Sequence, residues 1–394
     1  MDELKNKALN KHYEWKGKIK TAINFSIDNK EELAIGYTPG VAYPCLEIQK
    51  DYSKSFELTR RWNTVAVVTD GTAVLGLGDI GPEAGMPVME GKCALFKRFG
   101  NVDAIPICIR SKDVDELVRT IYLISGSFGG INLEDISAPR CFIIEEKLKH
   151  ICDIPIFHDD QHGTAIVIGA ATLNALKLAN KNINDAKIVI NGAGAAGIAV
   201  GRFLLELGAS NIIWFDKNGA IFRGKEGLIG IKNEIQHISN PNNEKGTLLD
   251  AVKDADVLIG LSAANVFNKQ IIQAMADKPI VFPCANPIPE ISYEDAKNAG
   301  AFIVGTGSSL YPNQINNLLA FPGVFRGTLD ARAKDITLKM KKAACYALIE
   351  LTKDYLDCEH ILPSALDDKV HQKVAKAVYD AALERWLNKN YWNV

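Results

Sequence analysis

The segment KIVINGAGAAGIAVGRFLLELGASNIIWFD, residues 187–216, decides the fold of this chain. Its first five residues predict a buried strand, and glycines follow in the spacing G-x-G-x-x-G at Gly192, Gly194 and Gly197. The remainder predicts a helix and then a second strand that ends at Asp216. A strand, a glycine turn, a helix and a strand within about 30 residues are typical of the Rossmann-type fold that binds dinucleotides.

The glycine turn predicts where a dinucleotide lies. Backbone amides at a helix amino terminus attract the pyrophosphate, so the expected contacts are Gly192, Ala193, Gly194, Ala195, Ala196 and Gly197. Asp216 is placed to accept hydrogen bonds from the ribose hydroxyls, which favours NAD. NADP stays an alternative, because Lys217 and Arg223 follow closely and can pair with its extra phosphate.

The same glycine spacing occurs a second time, at Gly76, Gly78 and Gly81. Pro82 and Pro87 follow it, and no strand ending in an acid comes at the required distance, so we do not expect a second nucleotide site there. Two interpretations remain open for this loop. It is either a turn that needs unusual dihedral angles, or a set of backbone N–H groups near an anionic substrate.

Strand and helix patterns alternate on both sides of the deciding segment, which predicts an α/β fold with two α/β domains. We expect a first domain over residues 1–161 and a Rossmann-type domain over residues 162–394. The predicted strands lie at residues 63–70, 104–109, from 154, 188–191, 212–215, 257–259, 279–282 and 302–304. Two long amphipathic helices, at residues 330–355 and 367–387, are expected to cover the first domain or a partner subunit.

Composition excludes several classes of partner. The 394 residues carry 45 Lys and Arg against 47 Asp and Glu, and a net charge of −2 gives no attraction to nucleic acid or anionic membranes. The longest apolar stretch, at residues 165–173, is about half of what a membrane-spanning helix needs. The first twenty residues mix acids and bases without an apolar core, and the eight cysteines form no C-x-x-C pair. We therefore expect a cytoplasmic protein.

Four acidic residues follow two predicted strands: Glu134 and Asp135 in INLEDIS, and Asp159 and Asp160 in FHDDQHG. If the strands are parallel, their carboxyl ends lie side by side, and the repulsion among the carboxylates is relieved by a hard divalent cation, Mg²⁺ or Mn²⁺. The alternative is helix capping by the aspartates. The sequence alone leaves these two interpretations open.

Four other side chains are ambiguous. Lys92 has apolar neighbours at three and four positions, so it is either a buried base with a lowered pKa or a surface lysine with a buried stem. Tyr37 precedes the turn Thr38-Pro39-Gly40 and is either functional or a packing residue. His158 and His162 flank the aspartates, where histidines are more often scaffolding than metal ligands.

Together these segments resemble the malic enzyme family, in particular its short prokaryotic branch. The similar strings extend from about residue 30 to residue 330: YTPGVA, VTDGTAVLGLGDIGPEAGMPVMEGK, INLEDI, FHDDQHGTA, NGAGAAG, ANPIPEI and NNLLAFPGVFRG. The resemblance implies oxidative decarboxylation of L-malate to pyruvate and CO₂, with NAD⁺ as the acceptor, Mg²⁺ or Mn²⁺ as the metal, and a homodimer or higher homo-oligomer as the assembly.

The resemblance also implies a role for individual residues. It makes Lys92 the general base for the malate hydroxyl and Tyr37 the acid that protonates the enol intermediate. The three metal ligands are Glu134, Asp135 and Asp160, with Asp159 beside them as an orienting residue. The residues that contact nicotinamide and substrate are Asn286 and Asn317.

One departure from the family leaves substrate binding open. The longer eukaryotic branch carries an arginine for the substrate carboxylate where this chain has Thr72-Ala73, and our hypothesis is that the loop from Gly76 to Gly81 replaces it. Two rival functions also remain. They are malolactic decarboxylation of malate to lactate, which would accumulate no NADH, and a non-catalytic dinucleotide-binding regulator.

Overall fold

The chain forms two largely parallel sheets. The computed structural model describes residues 2–74 and 76–384. The first sheet has the strand order β2-β1-β3-β4 with every pair parallel. Its strands are β1 (Thr64–Thr69), β2 (Asp103–Cys108), β3 (Gly130–Leu133) and β4 (Ile156–His158). The positions of β1, β2 and β4 agree with the predicted ones, and β3 is the strand expected before Glu134, for which no bounds were predicted. Because β2 and β3 flank β1 on opposite sides, a crevice opens at the carboxyl ends of the strands.

Seven helices precede the last strand of this sheet. They are α1 (Asp2–Trp15), α2 (Lys30–Gly36), α3 (Ala42–Lys50), α4 (Ser55–Leu58), α5 (Pro82–Gly100), α6 (Val114–Ile124) and α7 (Arg140–Ile151). Helix α5 buries Met89, Cys93 and Phe96, which recur at three and four positions and so form one apolar stripe. Lys92 lies on this stripe and is therefore drawn into the interior.

The second sheet has the order β10-β9-β8-β5-β6-β7, in which only β7 runs antiparallel. Its strands are β5 (Lys187–Asn191), β6 (Asn211–Asp216), β7 (Gly219–Ala220), β8 (Val257–Gly260), β9 (Ile280–Pro283) and β10 (Ile303–Val304). Strand β5 pairs with β6 on one side and β8 on the other. The predicted Rossmann-type arrangement is confirmed, with its crevice at the carboxyl end of β5.

Helix α8 (Asp159–Ala179) connects the two sheets, and almost all of its residues are buried. It begins directly after β4, so the domain boundary expected after residue 161 falls inside its first turn. The polar residues Asp159 to Gln161 were expected to end the strand from residue 154, but they start this helix, where acidic side chains are favoured by the helix dipole. The later helices are α9 (Ala195–Glu206), α10 (Ile231–Ile235), α11 (Leu248–Ala251), α12 (Lys269–Gln273) and α13 (Tyr293–Asn298).

The carboxyl-terminal helices are α14 (Phe321–Asp330), α15 (Leu338–Thr352) and α16 (Asp368–Ala382). The helix expected over residues 330–355 is present as α15, but its predicted start is wrong, because α15 begins at Leu338. Asp330 instead ends α14, and the Thr337 side chain caps α15 by accepting a hydrogen bond from the Met340 amide. Residue 387, the expected end of the last helix, lies outside the described residues. Helix α14 packs on α5, α16 packs on α14 and α15, and α15 packs on α8.

Two findings bear on the expectations from composition. Within the described part of the chain, no helix combines the length and apolar character that crossing a bilayer requires. All eight cysteines are free thiols, of which Cys93, Cys141 and Cys345 are buried and Cys45 is exposed.

Candidate active site

The carboxyl ends of β3 and β4 bring three carboxylates together. Glu134 and Asp135 follow β3, Asp160 lies in the first turn of α8, and one oxygen from each lies within 4.8 Å of the others. The Asp135 amide donates a 2.8 Å hydrogen bond to Asp160 Oδ2, which fixes that carboxylate beside the β3 loop. Burial and the nearby charge of Asp160 raise the pKa of Glu134. A set of oxygen ligands under mutual repulsion fits a hard divalent cation.

Lys92 is buried against these acids. Its Nζ lies 2.8 Å from Glu134 Oε1, contacts Asp159 Oδ2, and lies 4.1 Å from the centroid of the Phe321 ring. Burial alone would lower the pKa of Lys92, but the charges of Asp159 and Glu134 outweigh it and raise the pKa. The expected lowering is therefore wrong for this arrangement, because two carboxylates accompany the lysine into the interior.

Asn317 lies beside the same acids. It begins a short 3-10 turn before α14, and its Cβ lies next to Gly163 on α8. A Cβ built at Gly163 would collide with Asp159 Oδ1, so the glycine leaves room for the Asp159 side chain to fold back over the helix. The structure thus brings Lys92, Asp159 and Asn317 close together.

Asn286 approaches this crevice from the second sheet, in the exposed loop after β9. A Cβ at Gly76 would collide with the backbone carbonyl of Asn286, so the first glycine loop touches the Asn286 loop across the crevice. Glu290 holds the latter in place, since its buried carboxylate accepts hydrogen bonds of 2.8 Å from the Ser262 amide and 3.0 Å from the Ala285 amide. Glu290 was not predicted from the sequence, because its partners follow two different strands.

Four amides of the first glycine loop are engaged within the chain and are therefore not directed at a substrate. The amides of Leu77 and Gly78 donate to the Val74 carbonyl, and those of Ile80 and Gly81 donate to the Gly71 carbonyl. Gly76, Gly78 and Gly81 all have positive φ, which supports the alternative interpretation of a turn with unusual dihedral angles. Four of the loop's own amides therefore stabilise the loop itself.

A buried ion pair, also not predicted from the sequence, supports the turn after β1. Asp70 Oδ2 lies 2.7 Å from Arg140 Nη1, and Arg140 Nη2 donates a 2.7 Å hydrogen bond to Thr72 Oγ1. No local signal could have found this pair, because 70 residues separate its members. Because the Arg140 guanidinium contacts Asp70 and Thr72, we do not assign it to the substrate carboxylate.

The dinucleotide turn has the geometry that its glycines predict. A Cβ at Gly192 would collide with the Leu261 backbone, and one at Gly197 would collide with the Gly192 carbonyl, so both positions require glycine. Helix α9 begins at Ala195, directly after Gly194. The amides of residues 192–197 therefore lie at the amino end of a helix, where a pyrophosphate is favoured.

Asp216 ends β6, and two lysines lie close to its carboxylate. Oδ2 lies 2.7 Å from Lys232 Nζ, Oδ1 lies 3.7 Å from Lys225 Nζ, and Oδ1 also accepts a 2.8 Å hydrogen bond from the Asn218 amide. Lys217 and Arg223, the residues expected to favour NADP, are both exposed. Of the two lysines that contact Asp216, Lys225 lies in the loop after β7 and Lys232 lies on α10, and neither was predicted.

Tyr37 stands apart from the other predicted residues. Its side chain is 67% exposed, and its hydroxyl makes no hydrogen bond within the part of the chain that the structure describes. It belongs to an amino-terminal segment, residues 4–62, whose large apolar side chains are unusually exposed: Leu4, Leu9, Tyr13, Trp15, Ile23, Phe25, Ile35, Tyr43 and Leu46. Helices α2 and α3 bury no residue.

A crevice that joins a candidate cation site to a dinucleotide turn is typical of metal-dependent dinucleotide oxidoreductases. The family models place this chain within that class. The model for the malic enzyme N-terminal domain matches residues 16–149, and the model for the malic enzyme NAD binding domain matches residues 161–383. The chain belongs to the malic enzyme family, as the sequence motifs indicated.

Individual relatives agree with this assignment. The bifunctional malic/malolactic enzyme of Bacillus subtilis (strain 168) is 51% identical over 97% of this chain and 93% of its own length. The NAD-dependent malic enzyme of Geobacillus stearothermophilus is 51% identical over 93% of this chain and 77% of its own length. The crystal structure of the NAD-dependent malic enzyme from Thermotoga maritima has a TM-score of 0.91 and 46% identity, covering 94% of this chain and 98% of that one.

Proposed function

We propose that this protein oxidises and decarboxylates L-malate to pyruvate and CO₂ with NAD⁺ as the preferred acceptor. The observation that carries the proposal is the buried contact of Lys92 with Glu134, next to Asp135 and Asp160 and inside a crevice shared with the dinucleotide turn. The test is simultaneous measurement of NADH and pyruvate from L-malate with Mn²⁺. Equal amounts of both, abolished by a chelator, are expected.

Each residue has a part in this chemistry. Glu134, Asp135 and Asp160 hold the divalent cation, with Asp159 orienting Lys92, and residues 192–197 hold the dinucleotide. When bound, the cation supplies positive charge that polarises the substrate carbonyl, and the dinucleotide accepts a hydride. Lys92 removes the proton from the malate hydroxyl. Two carboxylates raise the pKa of Lys92, and a cation held beside Glu134 would oppose that effect and favour the neutral amine that a base requires.

The remaining contacts complete the site. We propose that Asn286 and Asn317 touch the nicotinamide and the substrate, because the Asn286 loop reaches Gly76 across the crevice and Asn317 lies beside Gly163 and Asp159. Tyr37 protonates the enol that remains after CO₂ leaves. Arg140 pairs with Asp70 in the turn after β1, so we do not assign it to the substrate carboxylate.

Malolactic decarboxylation is the second candidate function. The observation that favours it is the bifunctional malic/malolactic enzyme among the relatives, which has a chain of similar length and 51% identity. Lactate formation without net NADH would support this function, whereas NADH equal to pyruvate supports oxidation. The assay above therefore separates the two.

The cofactor preference gives a further prediction. Replacing Asp216 with serine is expected to lower kcat/KM for NAD⁺ and to raise it for NADP⁺ by about tenfold, because a hydrogen bond to a charged group contributes roughly 1.5–3 kcal/mol. The substitution removes a carboxylate that repels the extra phosphate and releases Lys225 and Lys232 to bind it. Steady-state kinetics with both cofactors measure the effect.

Two exposed basic residues serve as controls for that prediction. Lys217→Ala and Arg223→Ala should each change the NADP⁺ to NAD⁺ ratio by less than the Asp216 variant, since neither contacts Asp216. A larger effect of either control would show that the exposed residues set the preference.

We also propose that the protein is a cytoplasmic homodimer whose subunits meet through residues 4–62. The exposed apolar side chains of this segment are the support, since a patch of this kind on a soluble protein commonly marks an interface. Tyr37 lies on the same segment, so the dimer is expected to carry it to the catalytic site of the second copy.

Mixed dimers test this arrangement. Lys92→Met and Tyr37→Phe, each nearly inactive alone, are expected to regain about a quarter of wild-type kcat when unfolded and refolded together, because half of the random dimers then contain one intact site. Refolding each variant alone is the control. No recovery in a mixture shown to contain heterodimers would place Tyr37 and Lys92 of the same copy in one site.

A further inference from the structure

A second cavity lies between the two domains, outside the crevice described above. The interdomain cavity is bounded by α7, the first turns of α8, the outer face of α9 and the start of α15, and its volume is about 640 Å³. This is within the range of small-molecule sites in proteins, roughly 300–1,000 Å³. None of the proposed catalytic, cation or dinucleotide residues lines it.

A chain of polar contacts forms one wall of the cavity. Lys341 Nζ lies 3.0 Å from His162 Nδ1, and His162 Nε2 lies 2.7 Å from Glu145 Oε1. Glu145 also accepts a 3.1 Å hydrogen bond from Gln161 Nε2 and pairs with Lys149 Nζ at 3.0 Å. Since Nδ1 accepts from the ammonium, the ring donates through Nε2, and the Glu145 carboxylate thus receives contacts from His162, Gln161 and Lys149.

In residues 2–74 and 76–384, no carboxylate lies within ion-pair distance of the Lys341 ammonium. Among the described residues, its ammonium has His162 Nδ1 as its polar contact, and an ammonium can donate three hydrogen bonds. Burial and then the charge of Lys149 lower the pKa of Lys341 to about 8, whereas the charges of Glu145 and Asp335 act in the opposite direction. Two donors therefore remain for a ligand.

The other charges of the wall are paired or lie at its rim. Arg202 pairs with Glu234 at 2.6 Å, and Glu206 pairs with Lys342 at 3.0 Å. Glu146 and His150 are exposed at the opening. Among the described residues that line the cavity, the single interior charge without an ion-pair contact is therefore positive, and apolar side chains line the same cavity.

The apolar wall defines the chemistry of the occupant. Phe142, Ala165, Ile198, Phe203 and Leu338 surround the space in front of the ammonium. One cation and an apolar chamber suit a ligand with a single negative charge and a hydrocarbon body, whereas a phosphate requires more donors. We propose that the interdomain cavity is a second ligand site, which takes an apolar monocarboxylate through Lys341 and is coupled to the cation site.

The coupling follows from the position of His162. It lies in the first turn of α8, two residues after Asp160, and Glu145 on α7 holds the same turn from the other side. A ligand carboxylate that binds the Lys341 ammonium draws it away from His162 Nδ1. The first turn of α8 then loses one of the contacts that hold it in place. Affinity for the divalent cation should therefore change when the cavity is filled, and by linkage the cation should change affinity for the carboxylate equally.

Calorimetric titration of the whole protein with hexanoate tests the site without any turnover. We expect saturable binding of one hexanoate per chain, with the neutral hexanamide bound at least about tenfold more weakly. Lys341→Met should weaken hexanoate binding by at least about tenfold, because it replaces the ammonium with an apolar group of similar length. Lys339→Met, on the same helix but outside the cavity, should leave it unchanged.

Two outcomes overturn the site: no binding of hexanoate to the wild type, or equal binding to wild type and Lys341→Met. Equal binding to both proteins is also the result expected if hexanoate binds in the catalytic crevice instead of the cavity. Soaking wild-type crystals with 4-bromobenzoate gives an answer independent of any variant, since anomalous scattering locates the bromine. Bromine within the cavity supports the proposal, and bromine elsewhere or absent contradicts it.

Binding of Mn²⁺ tests the coupling separately. Hexanoate at saturation should shift the Kd for Mn²⁺ by about fivefold or more in the wild type and not in Lys341→Met. An unchanged Kd would overturn the coupling. These binding measurements stand whether or not malate is the substrate, so their failure is distinct from failure of the proposed function.

Discussion

Lys92→Met is expected to lower kcat for L-malate oxidation by about 10³-fold, within the range of 10²–10⁴ that general acid–base groups contribute. The reason is that Lys92 is the one basic side chain that contacts both Glu134 and Asp159 in the described structure. Binding of the dinucleotide should stay within about twofold of wild type, because residues 192–197 lie on another domain. Stopped-flow NADH formation and fluorescence titration measure the two quantities.

Two comparisons isolate the role of the proton. Lys92→Arg keeps the positive charge beside the buried carboxylates and so preserves the fold, but a guanidinium does not release a proton in this pH range. It should be nearly as inactive as Lys92→Met. Lys97→Met, on the exposed side of α5, should keep wild-type kcat. Substantial activity in Lys92→Arg would mean that the lysine acts through its charge alone.

Asp160→Asn is expected to weaken Mn²⁺ binding by at least about 100-fold, since even residues that only support metal ligands commonly cost 10–100-fold. The amide removes one of three negative charges and leaves the Asp135 amide without its carboxylate acceptor. Activity should be undetectable at Mn²⁺ concentrations that saturate the wild type. Calorimetric titration with Mn²⁺ alone measures the affinity directly.

Asp153→Asn is the matched control, because it precedes β4 in the same region and is about half exposed. Its Mn²⁺ affinity should equal that of the wild type. If Asp160→Asn retained wild-type affinity, the three strand-end carboxylates would not form the cation site. Protonation of the acids should mimic the substitution, so Mn²⁺ affinity is expected to fall at low pH.

The candidate site was predictable where its residues follow strands. Buried β3 and β4 are visible as apolar runs, and parallel strands bring their carboxyl ends together, so the proximity of Glu134, Asp135 and Asp160 follows from the sequence pattern. The lysine was placed on the right face of α5 by its spacing. The direction of its pKa shift was not predictable, because it depends on which charges reach Nζ.

Other features depend on contacts between distant segments. Lys232 reaches Asp216 from a helix that follows a long loop, and Glu290 connects the loops after β8 and β9. The polar start of α8 was interpreted as the end of a strand, since aspartates are common both after parallel strands and in the first turn of a helix. The break between α14 and α15 was missed because the amphipathic spacing continues across it, although the chain turns to pack α14 on α5.

The sequence by itself determined the two α/β halves, the dinucleotide turn and the acidic strand ends, because each depends on residues close together in the chain. Only the tertiary structure decided which charges compensate one another: Lys92 with Glu134 and Asp159, Asp216 with Lys232, and Lys341 with no carboxylate among the described residues. It also left Tyr37 on an exposed apolar segment. The local periodicity of apolar residues indicates which side chains are buried. Which charged groups meet depends instead on packing between elements far apart in the sequence.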